Sequence, residues 1–216
     1  YGFGSFKVSA TNTLRLTGKL PDGSPLLGST FVGTSGEILV FQLLYGSKGS
    51  LVGQYQLTGN DLSGSVSWFK PLATTGTVYK DGFGPLDVTA AGGLYTPPAA
   101  GQLVMQANSA LYFTGAGLAP DFVHHVTLAN PGPTRLTNTA KLDLPLVNST
   151  KISRFDVKTG SLTGSFIIGT RRAPFSGLIV KITGSTQGYG FFLLPTGVPN
   201  NTTSPKLSGR VVLGVR

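Results

Sequence analysis

Eight carboxylates are the side chains of this 216-residue chain with the most obvious catalytic potential. Two of them in one cleft could act as general acid and general base. They are Asp22, Glu37, Asp61, Asp81, Asp87, Asp121, Asp143 and Asp156. Asp22 and Asp81 each precede a glycine and Asp61 follows Asn60, which is typical of turns. The sequence therefore favours structural roles for these carboxylates over catalysis.

Other catalytic and ligand-binding patterns are weaker. His124 and His125 are adjacent, so on a strand they point to opposite faces and cannot readily chelate one metal together. One of them with Asp121 stays open as a ligand pair. No Gly-Xaa-Ser-Xaa-Gly elbow occurs and cysteine is absent. The sequence predicts no enzyme and no catalytic, cofactor-binding or metal-binding residue.

Composition suggests where the chain works and what it contacts. Its net charge of +9 is compatible with anionic partners, but only Arg171 and Arg172 form an adjacent basic pair, so nucleic acid is an unlikely partner. Charged residues make up only 12% of the chain, and such surfaces are common outside cells. No apolar run approaches the roughly 20 residues of a membrane-spanning helix. We expect a secreted or cell-surface protein, with a signal peptide or larger precursor removed before Tyr1.

A faint internal repeat organises the elements that would position any site. Leu16 to Leu20, an apolar run from Ile38 to Leu44, and Leu62 to Val66 follow one another in the first part of the chain. The same order returns as Leu162 to Phe166, an apolar run from Gly190 to Leu194, and Leu207 to Val211. We expect a meander of three strands plus a closing Ser-Gly strand, used twice around one core.

Alternating apolar and polar residues, many glycines and prolines, and little Glu or Met favour strands and turns over helices. The sequence predicts an all-β protein of roughly 11 to 14 strands, built as a barrel or a two-sheet sandwich with a pseudo-twofold repeat. We expect a single domain over 1–216, with repeat A at about 1–70, connecting strands at about 71–134 and repeat B at about 135–216. Leu103 to Met105 is one expected connecting strand. Glycines within strands would permit the bends that closure requires.

Two predicted strands, Ile38 to Leu44 and Tyr189 to Leu194, are apolar on both faces. Such strands need cover on both sides. Either a loop covers the outer face, or that face packs on a neighbouring module or subunit. The extended segment Tyr1 to Ser5 offers one route to assembly, by pairing with a neighbour's exposed edge. The predicted interface residues are Ile38, Val40, Phe41, Leu43, Tyr189, Phe191, Phe192 and Leu193.

Aromatic side chains offer an alternative binding surface, because flat rings can stack on sugars. The candidates for glycan contact are Trp68, Tyr45, Tyr79 and Tyr95. Trp68 continues the alternation from Val66, however, which favours a place in the core.

Glycine and aromatic motifs also resemble a known kind of domain. They are Tyr45 to Leu51, Val66 to Pro71, Gly92 to Pro98, Gly188 to Leu193, and Ser208 to Gly214. These motifs resemble the β-rich C-terminal domain of large secreted or surface proteins of verrucomicrobial-type bacteria. The resemblance implies an extracellular accessory or structural module and supplies no catalytic residue.

Together these features predict a non-catalytic extracellular module that works by association, as a self-associating surface or fibre subunit or as an accessory domain of a larger secreted protein. The alternative is a carbohydrate-binding module that uses surface aromatics. We expect a protein partner, with a polysaccharide as the second possibility, no cofactor and no membrane span.

Overall fold

The computed structural model describes residues 1–73, 77–130, 132, 134, 137–182, 184–196 and 204–216. This part of the chain is nearly all β and contains fifteen strands. A three-residue 3-10 turn, Val147–Ser149, is the one helical element in these ranges. The strands are β1 (Phe3–Val8), β2 (Thr13–Lys19), β3 (Pro25–Phe31), β4 (Glu37–Leu44), β5 (Gly49–Thr58), β6 (Asp61–Lys70), β7 (Phe83–Gly93), β8 (Asn108–Gly115), β9 (Phe122–Ala129), β10 (Thr139–Leu142), β11 (Lys151–Asp156), β12 (Ser161–Ile168), β13 (Arg171–Ile182), β14 (Ser185–Pro195) and β15 (Lys206–Val215).

The second part of the chain forms a nearly closed barrel of eight antiparallel strands. Their order is β10-β9-β8-β15-β14-β13-β12-β11, and β10 approaches β11 at the gap. Alternate residues point inward and fill the barrel with apolar side chains. Phe113, Phe166 and Phe192 are fully buried there, and their rings meet edge to face or tilted. The all-β, barrel-like fold predicted from the sequence is confirmed.

The first part of the chain forms two smaller antiparallel sheets. One has the order β1-β2-β3 and the other β4-β5-β6-β7, and a bridge between Val32 and Ile38 links them. Their facing sides enclose a second apolar cluster, which includes Leu14, Leu51 and Trp68. We call these seven strands the N-terminal sheets.

The expectation of one core is wrong, because the buried apolar residues form two separate clusters. The eight-stranded sheet curls around one cluster, and the two facing N-terminal sheets enclose the other. The N-terminal sheets and the barrel meet where β7 and β1 contact β13. That the chain is a single domain stays a prediction.

The repeated strand order holds for four strands and then changes. In chain order β1 to β4 correspond to β11 to β14, with a β1-β2-β3 meander in one half and β11-β12-β13 in the other. β15 then pairs directly with β14, but β5 lies between β4 and β6. β6, the Ser-Gly strand of the first half, therefore runs in the same direction as β4. β15, the Ser-Gly strand of the second half, runs antiparallel to β14. β5 was not expected, because Gly49 and Gly53 weaken its apolar pattern.

Glycines of the repeated motif make room for aromatic rings on the next strand. Gly164 lies opposite Phe175, and Gly209 lies opposite Phe192. A Cβ on Gly209 would lie 2.1 Å from the Phe192 ring, and one on Gly164 would lie 2.2 Å from the Phe175 ring. Such contacts are impossible, so glycine is required for close approach at these two positions.

The expected strand at Leu103 to Met105 is wrong, because these residues have an irregular conformation. Val104 and Met105 are nevertheless buried against the barrel cluster. The buried Asn138 side chain fixes this segment: its Oδ1 accepts the Val104 N–H at 2.8 Å, and its Nδ2 donates to the Gln102 carbonyl at 3.0 Å. Side-chain hydrogen bonds thus replace the strand pairing that the apolar run suggested.

Candidate functional site

β4 carries an exposed apolar strip on its outer face. Because strand residues alternate, Ile38, Val40 and Leu44 point into the core of the N-terminal sheets. Leu39, Phe41 and Leu43 point outward, with exposed fractions of 63%, 72% and 54%. Val52 lies opposite Phe41 on β5 and is also exposed. These four outward residues, Leu39, Phe41, Leu43 and Val52, are called the β4 strip below.

Polar neighbours of the β4 strip on β5 carry no charge. Leu39 lies opposite Gln54, and Leu43 lies opposite Ser50. The charged residue of β4, Glu37, is at the start of the strand, where its carboxylate accepts the Ser35 N–H at 3.0 Å. The strip is therefore an uncharged apolar surface on a strand that is hydrogen-bonded to β5.

The corresponding outer face of β14 is covered by the chain's own first residues. The Tyr1 ring meets the Tyr189 ring edge to face at 5.8 Å, and the Phe3 ring lies 5.8 Å from the Phe191 ring. Phe191 is consequently only 4% exposed. The Arg210 guanidinium, which lies opposite Phe191 on β15, is 5.4 Å from the centre of the Tyr1 ring and helps to hold this segment in place.

The predicted interface residues consequently separate into three groups. Ile38, Val40 and Phe192 face the cores, so their assignment to an interface is wrong. Tyr189, Phe191 and Leu193 are covered or half-buried within the same molecule. Phe41 and Leu43 remain exposed, and the structure adds Leu39 and Val52 to them.

The segment Tyr1 to Ser5 is also occupied within the molecule. Phe3 to Val8 pairs with β2, and the Tyr1 and Phe3 rings pack against the outer face of β14. Using this segment to pair with a neighbour would remove that cover. The β4 strip is therefore the better candidate for association.

The aromatic residues considered for glycan contact do not form a platform. Trp68 is only 3% exposed, so it cannot stack on a sugar ring and its assignment as a glycan contact is wrong. Tyr79 packs edge to face against Trp68 inside the N-terminal sheets. Tyr95 packs against the barrel cluster, and its hydroxyl donates to the Val157 carbonyl. Burial and the nearby Asp156 charge raise the pKa of this hydroxyl to about 12. The signal for a buried Trp68 was its alternation with Val66.

Tyr45 belongs to a buried polar cluster that sequence analysis did not assemble. Its hydroxyl donates to Asp22 Oδ2 at 2.8 Å and accepts the Trp68 indole N–H at 3.0 Å. Lys70 Nζ lies 2.5 Å from the same Asp22 oxygen and 4.1 Å from the centre of the Tyr45 ring. Asp22 was correctly assigned to a turn, where its Oδ1 accepts the Ser24 N–H, but no sequence signal linked it to Lys70, 48 positions away.

Electrostatics in this cluster follow from burial and pairing. Burial raises the Asp22 pKa, but the hydrogen bonds from Lys70, Ser24 and Tyr45 outweigh that effect and leave the pKa below its usual value. Burial and the Asp22 carboxylate together raise the pKa of the Tyr45 hydroxyl, which therefore stays protonated. The cluster is a desolvated ion pair with a phenol donor.

The histidines lie on β9, as their spacing predicted, on opposite faces. His124 is buried, with Nδ1 3.0 Å from the His125 carbonyl, whereas His125 is exposed. Among the residues that the structure describes, no group of three or more His, Cys, Asp or Glu side chains could hold a metal ion.

No family model, curated protein or solved structure matches this chain. Over the described ranges, none of the helical structure is long and apolar enough to cross a membrane.

Proposed function

We propose that this chain is a non-catalytic extracellular structural module that associates with a second copy of itself through the β4 strip. One observation carries the proposal: β4 and β14 have the same doubly apolar pattern, but only the outer face of β14 is covered by the chain itself. Contiguous exposed apolar surface commonly marks an interface, because covering it removes apolar area from water.

The chemistry of the strip favours a second copy as its partner. Two molecules with a net charge of +9 repel each other, and an interface between them is best placed where charge is absent. The β4 strip meets that condition. The cover on β14 also shows that side chains of this chain suit such a face, since Tyr1 and Phe3 occupy it.

Pairing through one strip on each molecule gives a symmetric dimer. In a twofold arrangement the same surface is used twice, so Phe41 of one copy packs near the strip of the other. Exposed apolar residues on β3, Leu27 and Phe31, enlarge the apolar surface of the N-terminal sheets next to β4. An extracellular location is supported by the low charged fraction of the chain.

Sedimentation velocity over a concentration series tests this function. We expect the wild-type chain to form dimers as concentration rises and Phe41→Ser to weaken dimerisation by at least about tenfold, as expected for a central aromatic contact. A monomeric wild-type chain at every concentration would contradict the proposal.

A matched pair of valines provides the control. Val52 in the strip and Val123 on β9 of the barrel are 43% and 42% exposed, and both lie on strands. Val52→Ser should weaken dimerisation and Val123→Ser should not. Equal effects of the two substitutions would show that general surface hydrophobicity, and not this strip, causes association.

A further inference from the structure

An ion pair buried in the N-terminal sheets is the feature that the proposed function leaves unexplained. The Asp22 side chain is 1% exposed and the Lys70 side chain 9% exposed, and their charged atoms lie 2.5 Å apart. Isolating two charges from water is costly, and a pair of apolar residues is often as stable as such an ion pair. Asp22 lies in the β2–β3 turn, and Lys70 is the last residue of β6.

We propose that Lys70 and Asp22 react after folding to form an intramolecular amide bond between Nζ and Cγ. This bond is an isopeptide cross-link, and it is a property of the folded chain that does not depend on association through the β4 strip. A lysine amine is a nucleophile only in its neutral form, which Lys70 can reach by giving a proton to the Asp22 carboxylate that it contacts.

Each oxygen of the Asp22 carboxyl group has a partner suited to this reaction. Oδ1 accepts the Ser24 backbone N–H at 2.9 Å, which is positioned to stabilise negative charge on that oxygen. Oδ2 accepts the Tyr45 hydroxyl at 2.8 Å and lies 2.5 Å from Lys70 Nζ. Oδ2 is therefore the oxygen placed to receive protons and leave.

The reaction balances without any other reagent. The Lys70 ammonium first gives a proton to Oδ2, which produces a neutral amine and a carboxylic acid. Nζ then attacks Cγ, and negative charge develops on Oδ1. A second proton passes from Nζ directly to Oδ2, which the Tyr45 hydroxyl holds in place by its hydrogen bond, the Cγ–Oδ2 bond breaks, and one water molecule leaves. The third proton of the ammonium remains on the amide nitrogen.

Proximity and burial both favour the amide. Two groups held in contact by a fold react at effective concentrations far above any in solution. The product replaces two buried charges with one neutral group, which removes the desolvation cost of the pair. The Tyr45 ring stabilises the ammonium form from 4.1 Å, so the reaction is slow, but it has to occur only once per molecule.

The cross-link would close the N-terminal sheets covalently. Asp22 and Lys70 are 48 positions apart, and β3, β4 and β5 lie between them with nearly all of β6. Pulling the chain or adding denaturant could then not fully extend this loop.

Tryptic peptide mapping of the purified wild-type chain tests the cross-link. Trypsin releases residues 20–48, which contain Asp22, and residues 49–80, which contain Lys70 before a proline and so stay uncut at that position. We expect one joined peptide whose mass is the sum of the two minus one water. Two separate peptides from protein aged for days at neutral pH would overturn the proposal.

The joined peptide also excludes a competing reaction at Asp22. An Asp-Gly sequence can lose water by closing a succinimide on its own backbone, and Asp22 precedes Gly23. That product lowers the mass of residues 20–48 alone and joins nothing. A dehydrated but unjoined peptide would therefore count against the isopeptide.

Two variants assign the roles. Lys70→Arg keeps the positive charge but cannot form this amide, so the two peptides should separate. Tyr45→Phe keeps the ring and removes only the hydroxyl, so joining should slow by at least tenfold in a time course from refolded protein. Joining at the wild-type rate in Tyr45→Phe would overturn the role of that hydroxyl.

Discussion

β4 and β14 have the same sequence character and different surroundings. Both are apolar at alternating and intervening positions, and both turn one face into a core. The other face of β14 is covered by Tyr1 and Phe3, whereas that of β4 leaves Phe41 72% exposed. A strand that is apolar on both faces therefore requires cover on its outer face. Contacts with distant parts of the chain determine whether that cover comes from the same molecule.

The largest expected effect separates the inner and outer faces of these strands. Phe192→Ala removes a fully buried ring from the barrel and should lower the free energy of unfolding by about 3–5 kcal/mol. Phe41→Ala should change the stability of the monomer by less than about 0.5 kcal/mol, because its ring is exposed. Urea denaturation at a concentration where the protein is monomeric measures both. A large loss for Phe41→Ala would mean that the strip is part of a core after all.

A smaller effect is expected at the cover of β14. Phe3→Ala should lower the free energy of unfolding by about 1–2 kcal/mol, because half-buried aromatic area is lost and the Phe191 ring is left open to water. Val8→Ala on the same strand, where the side chain is exposed, is the matched control and should have little effect. If the two variants were equally stable, the first strand would not be a significant cover.

The smallest effect is an acid dependence confined to the N-terminal sheets. In Lys70→Arg, which cannot form the amide, the Asp22 carboxylate still has a cationic partner. Because pairing in the folded state holds the Asp22 pKa below its unfolded value of about 3.9, its contribution is present above that pH and is lost as the pH falls through the folded pKa. Trp68 is the only tryptophan and hydrogen-bonds within this cluster, so its fluorescence follows the N-terminal sheets alone.

Circular dichroism of the whole chain provides the comparison for that experiment. Acid should change the Trp68 signal of Lys70→Arg before the β-sheet signal of the barrel changes. Wild-type protein that carries the amide has no Asp22 carboxylate to titrate and should lack this early step. Coincident transitions in the variant would contradict the assignment to Asp22.

Sequence alone was enough for the fold class and for the faces of single strands. Alternation in Val66 and Trp68 correctly placed Trp68 inside, and the apolar runs correctly marked β4 and β14 as unusual. Which face of β14 is covered depends on where Tyr1 and Phe3 lie in space, about 190 positions away in the chain. Local patterns carry no information on such contacts.

The buried cluster shows the same limit. Asp22 was recognisable as a turn residue, but its pairing with Lys70 depends on the β2–β3 turn meeting the end of β6. β5 was missed because its glycines obscure the alternation, and that omission hid the direction in which β6 runs. The features that the sequence could not predict depend on contacts between residues that are far apart in the chain. They do not depend on the type of any one residue.

Hydroxyl-radical footprinting of the wild-type chain at low and high protein concentration tests the central claim most directly, because it reports the exposure of Phe41 and Phe191 in one experiment. We predict that Phe41 is strongly labelled when the protein is dilute and protected when it is concentrated, whereas Phe191 is protected at both concentrations. Equal labelling of Phe41 at all concentrations would contradict association through the β4 strip, and strong labelling of Phe191 would contradict the cover by Tyr1 and Phe3.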